Sequence, residues 1–228
     1  MMIHPLSILL VLGMTGLVLT AQVPALTYFG RASVKLVSAG KTVIYIDPFA
    51  PGDYSEKADL VLVTHGHDDH NQVRLVTLKP GGVVLAPTGA VQGKDYRSVK
   101  EGDAFTVNGV QVKVVPAYNA NHKREVSVGY VVTVDGVAVY HAGDTSLIQE
   151  MSALVPLHVD YALFPTDGFW NMGGEEARRC ADLVKARFSI AIHSSPKGLY
   201  DAEKAALLKG PDDIPLEPGQ SLALKARN

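Results

Sequence analysis

Apolar and polar positions along the chain fall into short runs, most of them with the two-residue period of a strand. Leu26–Gly30, Val34–Val37 and Thr42–Ile46 are three β-rich runs, turned at Gly30-Arg31 and at Ala39-Gly40-Lys41. Asp59-Leu60-Val61-Leu62-Val63 is a short apolar run that reads as a buried strand. Asn71–Leu78 reads as a helix, stopped by Pro80-Gly81-Gly82. Val83–Ala86 is the next strand, and Thr88–Lys94 a short helix with Thr88 as N-cap. Ala104–Val107 and Val110–Val115 flank Asn108-Gly109, and Val126–Val134 and Val137–Tyr140 flank Asp135-Gly136; both dipeptides suit the left-handed positions of a tight hairpin turn. Ser146–Leu154 and Glu175–Ala186 read as helices, Tyr161–Phe164 and Ser189–Ile192 as buried strands, Asp201–Leu208 as a last helix and Ser221–Leu224 as a closing strand. Strands dominate the first half and alternate with helices in the second. That order predicts two packed sheets with helices on their outer faces.

Composition bounds this picture. The chain has 228 residues, 47% hydrophobic and 19% charged, enough for one sizeable core. Its net charge is −2 with no long basic run, which argues against an electrostatic nucleic-acid binder. Leu6–Leu19 is a stretch of 14 uncharged residues followed by Ala21, the length of a signal-peptide apolar region and short for a membrane span. Met1–Pro5 lacks Lys and Arg, and Leu19 is bulky for a cleavage site, so an uncleaved anchor or a buried N-terminal helix are the alternatives. The expectation is a leader over 1–21, a domain over 25–228 and an exported protein. The single cysteine, Cys180, cannot form an internal disulfide. It shares a helix face with Ala177, Ala181 and Val184 and reads as a buried thiol.

The candidate chemistry starts where the apolar run 59–63 ends. Thr64-His65-Gly66-His67-Asp68-Asp69-His70 packs three histidines and two carboxylates into one short turn. Neutral imidazole is the commonest metal ligand among side chains. His65 and His67 alternate at the strand end and can lean toward one point; Asp69 and His70 can reach a second. The pattern HxHxDH therefore looks like half of a two-metal site. Asp47, in Asp47-Pro48-Phe49 at another strand end, either holds a histidine by its free N–H or caps a turn.

Other strand ends carry ligand-type residues. His122 follows Val115 in a polar loop, where a histidine taken alone is more often solvated than ligating. Asp144, in His141-Ala142-Gly143-Asp144-Thr145, can bridge two cations through its two oxygens or cap a helix starting near Ser146. His141 is read as a core or supporting residue, and His158 has no assigned partner. His193 ends a strand. Phe164–Met172 is a loop that could wall a pocket.

In this order, HxHxDH, a later His, Gly-Asp-Thr and a strand-end His resemble the metallo-β-lactamase superfamily, over about residues 25 to 225. Asp47-Pro48-Phe49, Pro116-Ala117-Tyr118-Asn119 with His122, and Asn171-Met172-Gly173-Gly174-Glu175-Glu176-Ala177 resemble the branch containing L-ascorbate-6-phosphate lactonase. The resemblance implies an αββα sandwich and two divalent metal ions, zinc first, with manganese or iron as alternatives. It implies that His65, His67 and His122 hold one metal, Asp69, His70 and His193 the other, and that Asp144 bridges them. Relatives in this branch often carry histidine where this chain has Arg31.

Two cations roughly 3.5–4 Å apart share a water and lower its pKa, so a bridging hydroxide would attack a carbonyl or phosphoryl centre, with Asp69 orienting it and carrying its proton. The expected reaction is hydrolysis of a small ester-like bond, in a lactone or phosphoester. Within the same fold, the alternatives are a phosphodiesterase or nuclease, or a metal-binding protein without catalysis. The pocket walls would come from Gly30–Ser33, Ala117–Arg124 and Thr166–Gly173. They offer Arg31, Asn119, Asn121, Lys123 and Arg124 beside Tyr118, Phe169 and Trp170, a set suited to a small, anionic substrate.

Overall fold

The computed structural model describes residues 22–93 and 95–227. The leader expected over 1–21 lies outside them. Among the described residues no helix is long and apolar enough to cross a membrane.

The first sheet holds seven strands, in the order β13-β1-β2-β3-β4-β5-β6, from β1 (Ala25–Gly30), β2 (Ser33–Val37), β3 (Val43–Ile46), β4 (Ala58–Leu62), β5 (Leu78–Pro87), β6 (Arg97–Val99) and β13 (Ser221–Ala223). The second holds six, in the order β12-β11-β10-β9-β8-β7, from β7 (Ala104–Val107), β8 (Val110–Pro116), β9 (Val128–Val134), β10 (Val137–His141), β11 (Tyr161–Pro165) and β12 (Phe188–Ile192). Both sheets are mixed. β1–β3 pair antiparallel and β3–β6 parallel; β7–β10 pair antiparallel and β10–β12 parallel.

Strand alternation sorts the core into layers. Leu36, Ile44, Ile46, Leu60 and Leu62 face Val112, Val132, Val139, Leu163 and Ile190 between the sheets. Their odd-numbered neighbours Val43, Tyr45, Val61 and Val63 turn to the outer face of the first sheet. On the outer face of the second sheet, Tyr140, Ala162 and Phe164 receive α1 (Gly174–Val184) through Ala177, Cys180, Ala181 and Val184. Cys180 is the buried thiol expected, its pKa pushed up to about 12 by burial.

The sandwich matches the expectation, but its helices are fewer. Asn71–Leu78 is not a helix; only Val73–Leu75 makes a 3₁₀ turn, and β5 already begins at Leu78. Asn71 Nδ2 donates to the carbonyls of Gly66 and Ala90, and Gln72 Nε2 to that of Asp68. Those amides hold the metal-type loop, and the β-branched Val73, Val76 and Thr77 disfavour helix. Thr88–Lys94 is not a helix over its described residues, because Gly89 and Gly93 take φ of +79° and +68°. Ser146–Leu154 is replaced by a 3₁₀ segment, Gln149–Leu157. The last predicted helix is a single turn, α2 (Ala202–Ala205), continued by a 3₁₀ turn. The strand β6 carried no signal that sequence reading picked up.

Candidate metal centre

The two sheets end together at one edge, and each ligand-type residue leaves a strand there. Thr64 follows β4. Its N–H and hydroxyl donate to Asp47 Oδ1 and Oδ2, each at 2.7 Å, and Asp47 itself follows β3, the parallel neighbour of β4. The same Oδ2 accepts from His70 Nδ1 at 2.8 Å, so Asp47 sets that ring with Nε2 turned inward. The Thr64 hydroxyl, its own proton committed to Asp47, lies 3.1 Å from His65 Nδ1 and accepts from it.

After β8, Asn119 Oδ1 accepts from the backbone of Asn121 and His122 and from His122 Nδ1 at 2.9 Å. After β10, Asp144 is delivered by Gly143, at φ +65°, where a Cβ would meet the Val128 carbonyl at 2.8 Å. After β12, His193 donates its backbone N–H to the Arg31 carbonyl at 2.6 Å, and its Nδ1 lies 3.2 Å from Asp167 Oδ2.

These side chains converge. Asp144 Oδ2 lies 3.3 Å from His122 Nε2, 3.5 Å from His70 Nε2, 3.6 Å from His193 Nε2 and 4.0 Å from His65 Nε2. His65 Nε2 is 3.1 Å from His67 Nδ1, and Asp69 Oδ2 is 3.5 Å from His193 Nε2. Three groups could hold a metal ion, with ligand atoms within 4.8 Å of one another: His65, His67 and His122; His65, His70 and Asp144; Asp69, His70 and His193. All are buried except His67, which is exposed, and Asp69, which is half-buried.

Two atoms test whether cations fit. His70 Nε2 and Asp144 Oδ1 are buried with no hydrogen-bond partner. With Nδ1–H given to Asp47, neutral His70 would aim a lone pair at two carboxylates, which costs energy unless a proton or a cation sits between them. A donor set of imidazoles and carboxylates suits a borderline divalent cation.

The electrostatics divide the histidines. Burial and neighbouring His70 hold His65 well below the usual imidazole range, and burial also lowers His122. For His70, burial is outweighed by Asp144 and Asp47, which raise it well above that range. For His193, burial is again outweighed, by Asp144, Asp167 and Asp69, which bring it to about 9. Asp144 and Asp69 pay for burial but are held low, Asp144 by His193 and His70, Asp69 by His193, His70 and Arg31.

Beside the cluster lies a cavity of about 620 Å³, walled by Arg31, Phe49, Asp68, Asp69, Asn121 and Trp170. Arg31 and Trp170 therefore stand where a pocket wall was expected. Arg31 is no free cation, since it donates to Asp69 Oδ2 at 2.7 Å and to the carbonyls of Ser195 and Gly198. Tyr118 and Asn119 do not face the cavity. The Tyr118 hydroxyl meets Glu150, and Arg124 lies over its ring. Asn119 is occupied by His122 and by the Trp170 carbonyl. Arg124 is paired with Glu101 and Glu150. Lys123 edges a separate groove beyond His67 and His122. Of the other histidines, His141 is buried and donates to the Ala32 carbonyl, as its core reading expected. Asp167 was missed, although a carboxylate after β11 had to lie beside a histidine after β12, its parallel neighbour.

Residues 25–193 match the model of the β-lactamase superfamily domain. A UPF0173 metal-dependent hydrolase of Thermus thermophilus is 32% identical over 219 residues, covering 86% of this chain and 97% of its own. One from Pyrococcus furiosus is 32% identical over 223 residues, covering 87% and 98%. A crystal structure from Parabacteroides distasonis, described as a metal-dependent hydrolase, superimposes with a TM-score of 0.73 at 28% identity, covering 85% of this chain and 94% of that one. The chain belongs to the metallo-β-lactamase superfamily and is one of its metal-dependent hydrolases.

Proposed function

We propose that the protein is a dinuclear hydrolase of small ester-like bonds, a lactone or a phosphoester. His65, His67 and His122 hold one cation, Asp69, His70 and His193 the other, and Asp144 faces both. The observation that carries this reading is the position of Asp144 Oδ2, within 3.3–4.0 Å of four imidazoles delivered by three separate strand ends, those of β4, β8 and β12. When bound, two cations supply an acidified shared water and polarise the bond under attack. Asp69 is the half-buried carboxylate of the set and lines the cavity. Arg31 ties its Oδ2, which leaves Oδ1 to orient the attacking water and take up its proton. Asp47, Asn119 and Asp167 fix the rings of His70, His122 and His193 from behind.

Zinc is the proposed metal, because the imidazole-rich set suits it, with manganese or iron able to replace it. The proposed compartment is outside the cytosol, on the strength of the apolar run Leu6–Leu19. The test is elemental analysis after reconstitution, followed by a panel of lactone, phosphodiester, thioester and β-lactam substrates. Two equivalents of metal and turnover of an ester-like member are expected. A chain that stays metal-free with zinc, manganese and iron each in excess would sink the reading.

A further inference from the structure

The cavity beside the cluster is built so that its one arginine is already engaged. Arg31 is the one arginine or lysine among the described residues that line it, and Asp69 and two backbone carbonyls occupy the guanidinium. Asp68 adds an exposed carboxylate to the wall, with no ion pair among the described residues. The cations that could have drawn an anion lie elsewhere: Arg124 is paired with Glu101 and Glu150, and Lys123 borders the other groove. Apart from the candidate ligands, Asp68 and Asn121, whose amide is given to the Trp170 carbonyl, what remains to receive a substrate is aromatic, Phe49 and Trp170.

Trp170 is held in place before any ligand arrives. Asp167 Oδ1 accepts from the backbone N–H of Phe169 at 2.7 Å and of Trp170 at 2.6 Å. The Trp170 carbonyl accepts from Asn119 Nδ2 and Asn121 Nδ2. Phe169 packs edge-on against its ring, with centroids 4.8 Å apart. Asp167 also stands behind His193, and Asn119 behind His122. The ring is thus mounted on the frame that positions two candidate ligands, yet it remains 46% exposed. A large apolar surface held rigid and half open beside a reactive centre is a preorganised contact for a ligand.

We infer that the substrate carries an uncharged apolar or planar group that seats against Trp170 and Phe49, so that the cavity selects neutral esters or lactones over anionic ones. This rests on the hydrolase reading above. It reverses the anionic preference expected from the loop residues alone, because those cations are paired within the protein.

The test compares two esters with one scissile bond and one leaving group, phenyl butyrate and monophenyl succinate, which differ by a terminal carboxylate. With the metal-loaded protein, kcat/KM for phenyl butyrate should exceed that for monophenyl succinate by about tenfold or more. Trp170→Ala should raise KM for phenyl butyrate about fivefold with kcat changed less than about twofold, at unchanged metal content. Trp170 is the only tryptophan of the chain, so its emission reports occupancy directly. Butyranilide, the uncleaved neutral analogue, should quench it saturably, and succinanilic acid should need at least about ten times the concentration. Preference for the succinate, an unmoved KM in Trp170→Ala, or emission indifferent to butyranilide would overturn the inference. A loaded protein that cleaves neither ester overturns the ester reading instead, and the anilide titration still decides the pocket.

Discussion

The two halves of the candidate metal centre are built from the same imidazole and differ in what stands behind it. His65 and His122 are backed by neutral oxygens, Thr64 Oγ1 and Asn119 Oδ1. His70 and His193 are backed by carboxylates, Asp47 and Asp167. The second half also contains Asp69, tied to Arg31, while the first contains His67, the exposed histidine. A carboxylate behind an imidazole makes the ring more basic and a better donor. One sandwich edge therefore offers a neutral subsite and an anionic one, and the second should be more sensitive to its supporting residues.

Asp144 is the residue the halves share, so changing it should erase the difference between them. Asp144→Asn removes the charge that faces all four buried imidazoles. Elemental analysis should show both equivalents weakened, and kcat/KM should fall by more than about 100-fold on any substrate turned over. Retention of two tight equivalents would break the shared-carboxylate reading.

The supporting residues test the comparison next. Asp47→Asn keeps shape but takes charge from behind His70. The second equivalent should weaken by about 10–100-fold, with the first moved little. Asn119→Ala should act on the first equivalent alone, and less, because the lost partner is neutral. Competition against a chromophoric chelator separates the two constants. Equal effects of both variants on both equivalents would dissolve the distinction.

The sequence made one side of this comparison plainer than the other. The ligand-type residues were legible because metals demand fixed residue types at strand ends, and HxHxDH after a buried strand states that demand locally. The supports were legible only where a strand end announced them, as Asp47 did. Asp167 acts on His193 across two strand ends, a pairing no local pattern encodes, and Asn119 acts on His122 within its own loop, where nothing in the residue types marks it as a support. The same blindness gave Arg124 and Tyr118 to the pocket, when Glu150 claims both from 26 and 32 residues away. The helix expected over Asn71–Leu78 failed for a related reason, since Asn71 and Gln72 turn their amides to loop carbonyls instead of leaving the backbone free to coil.

Arg31 offers a narrower test. Its side chain ties Asp69 of the first sheet while its backbone carbonyl takes the His193 N–H of the second. Arg31→Ala removes only the first tie. The second equivalent should weaken by about tenfold, and Arg31→Lys should recover part of it. A second equivalent bound more tightly in Arg31→Ala would mean that the guanidinium acts by repelling the cation and not by holding Asp69.

The smallest effect expected is in protons. In the metal-free protein at pH 7.5, His193, raised to about 9, and His70, raised well above the ordinary range, both carry a proton, while His65 and His122, both lowered, do not. A ligand nitrogen must lose its proton before it binds metal. His65 and His122 should thus release almost none as the first subsite fills, and filling the second should release about one to two. The sign of the pH dependence follows. As pH falls from 9 toward 6, the second equivalent weakens first because protons already hold its sites, while His65 and His122 stay free of protons until pH approaches their lowered values. Calorimetric titration in buffers of different ionisation enthalpy measures the protons released at each step. Equal release at both steps would show that the carboxylates behind His70 and His193 position the rings without changing their basicity, and the contrast between the halves would then be one of geometry alone.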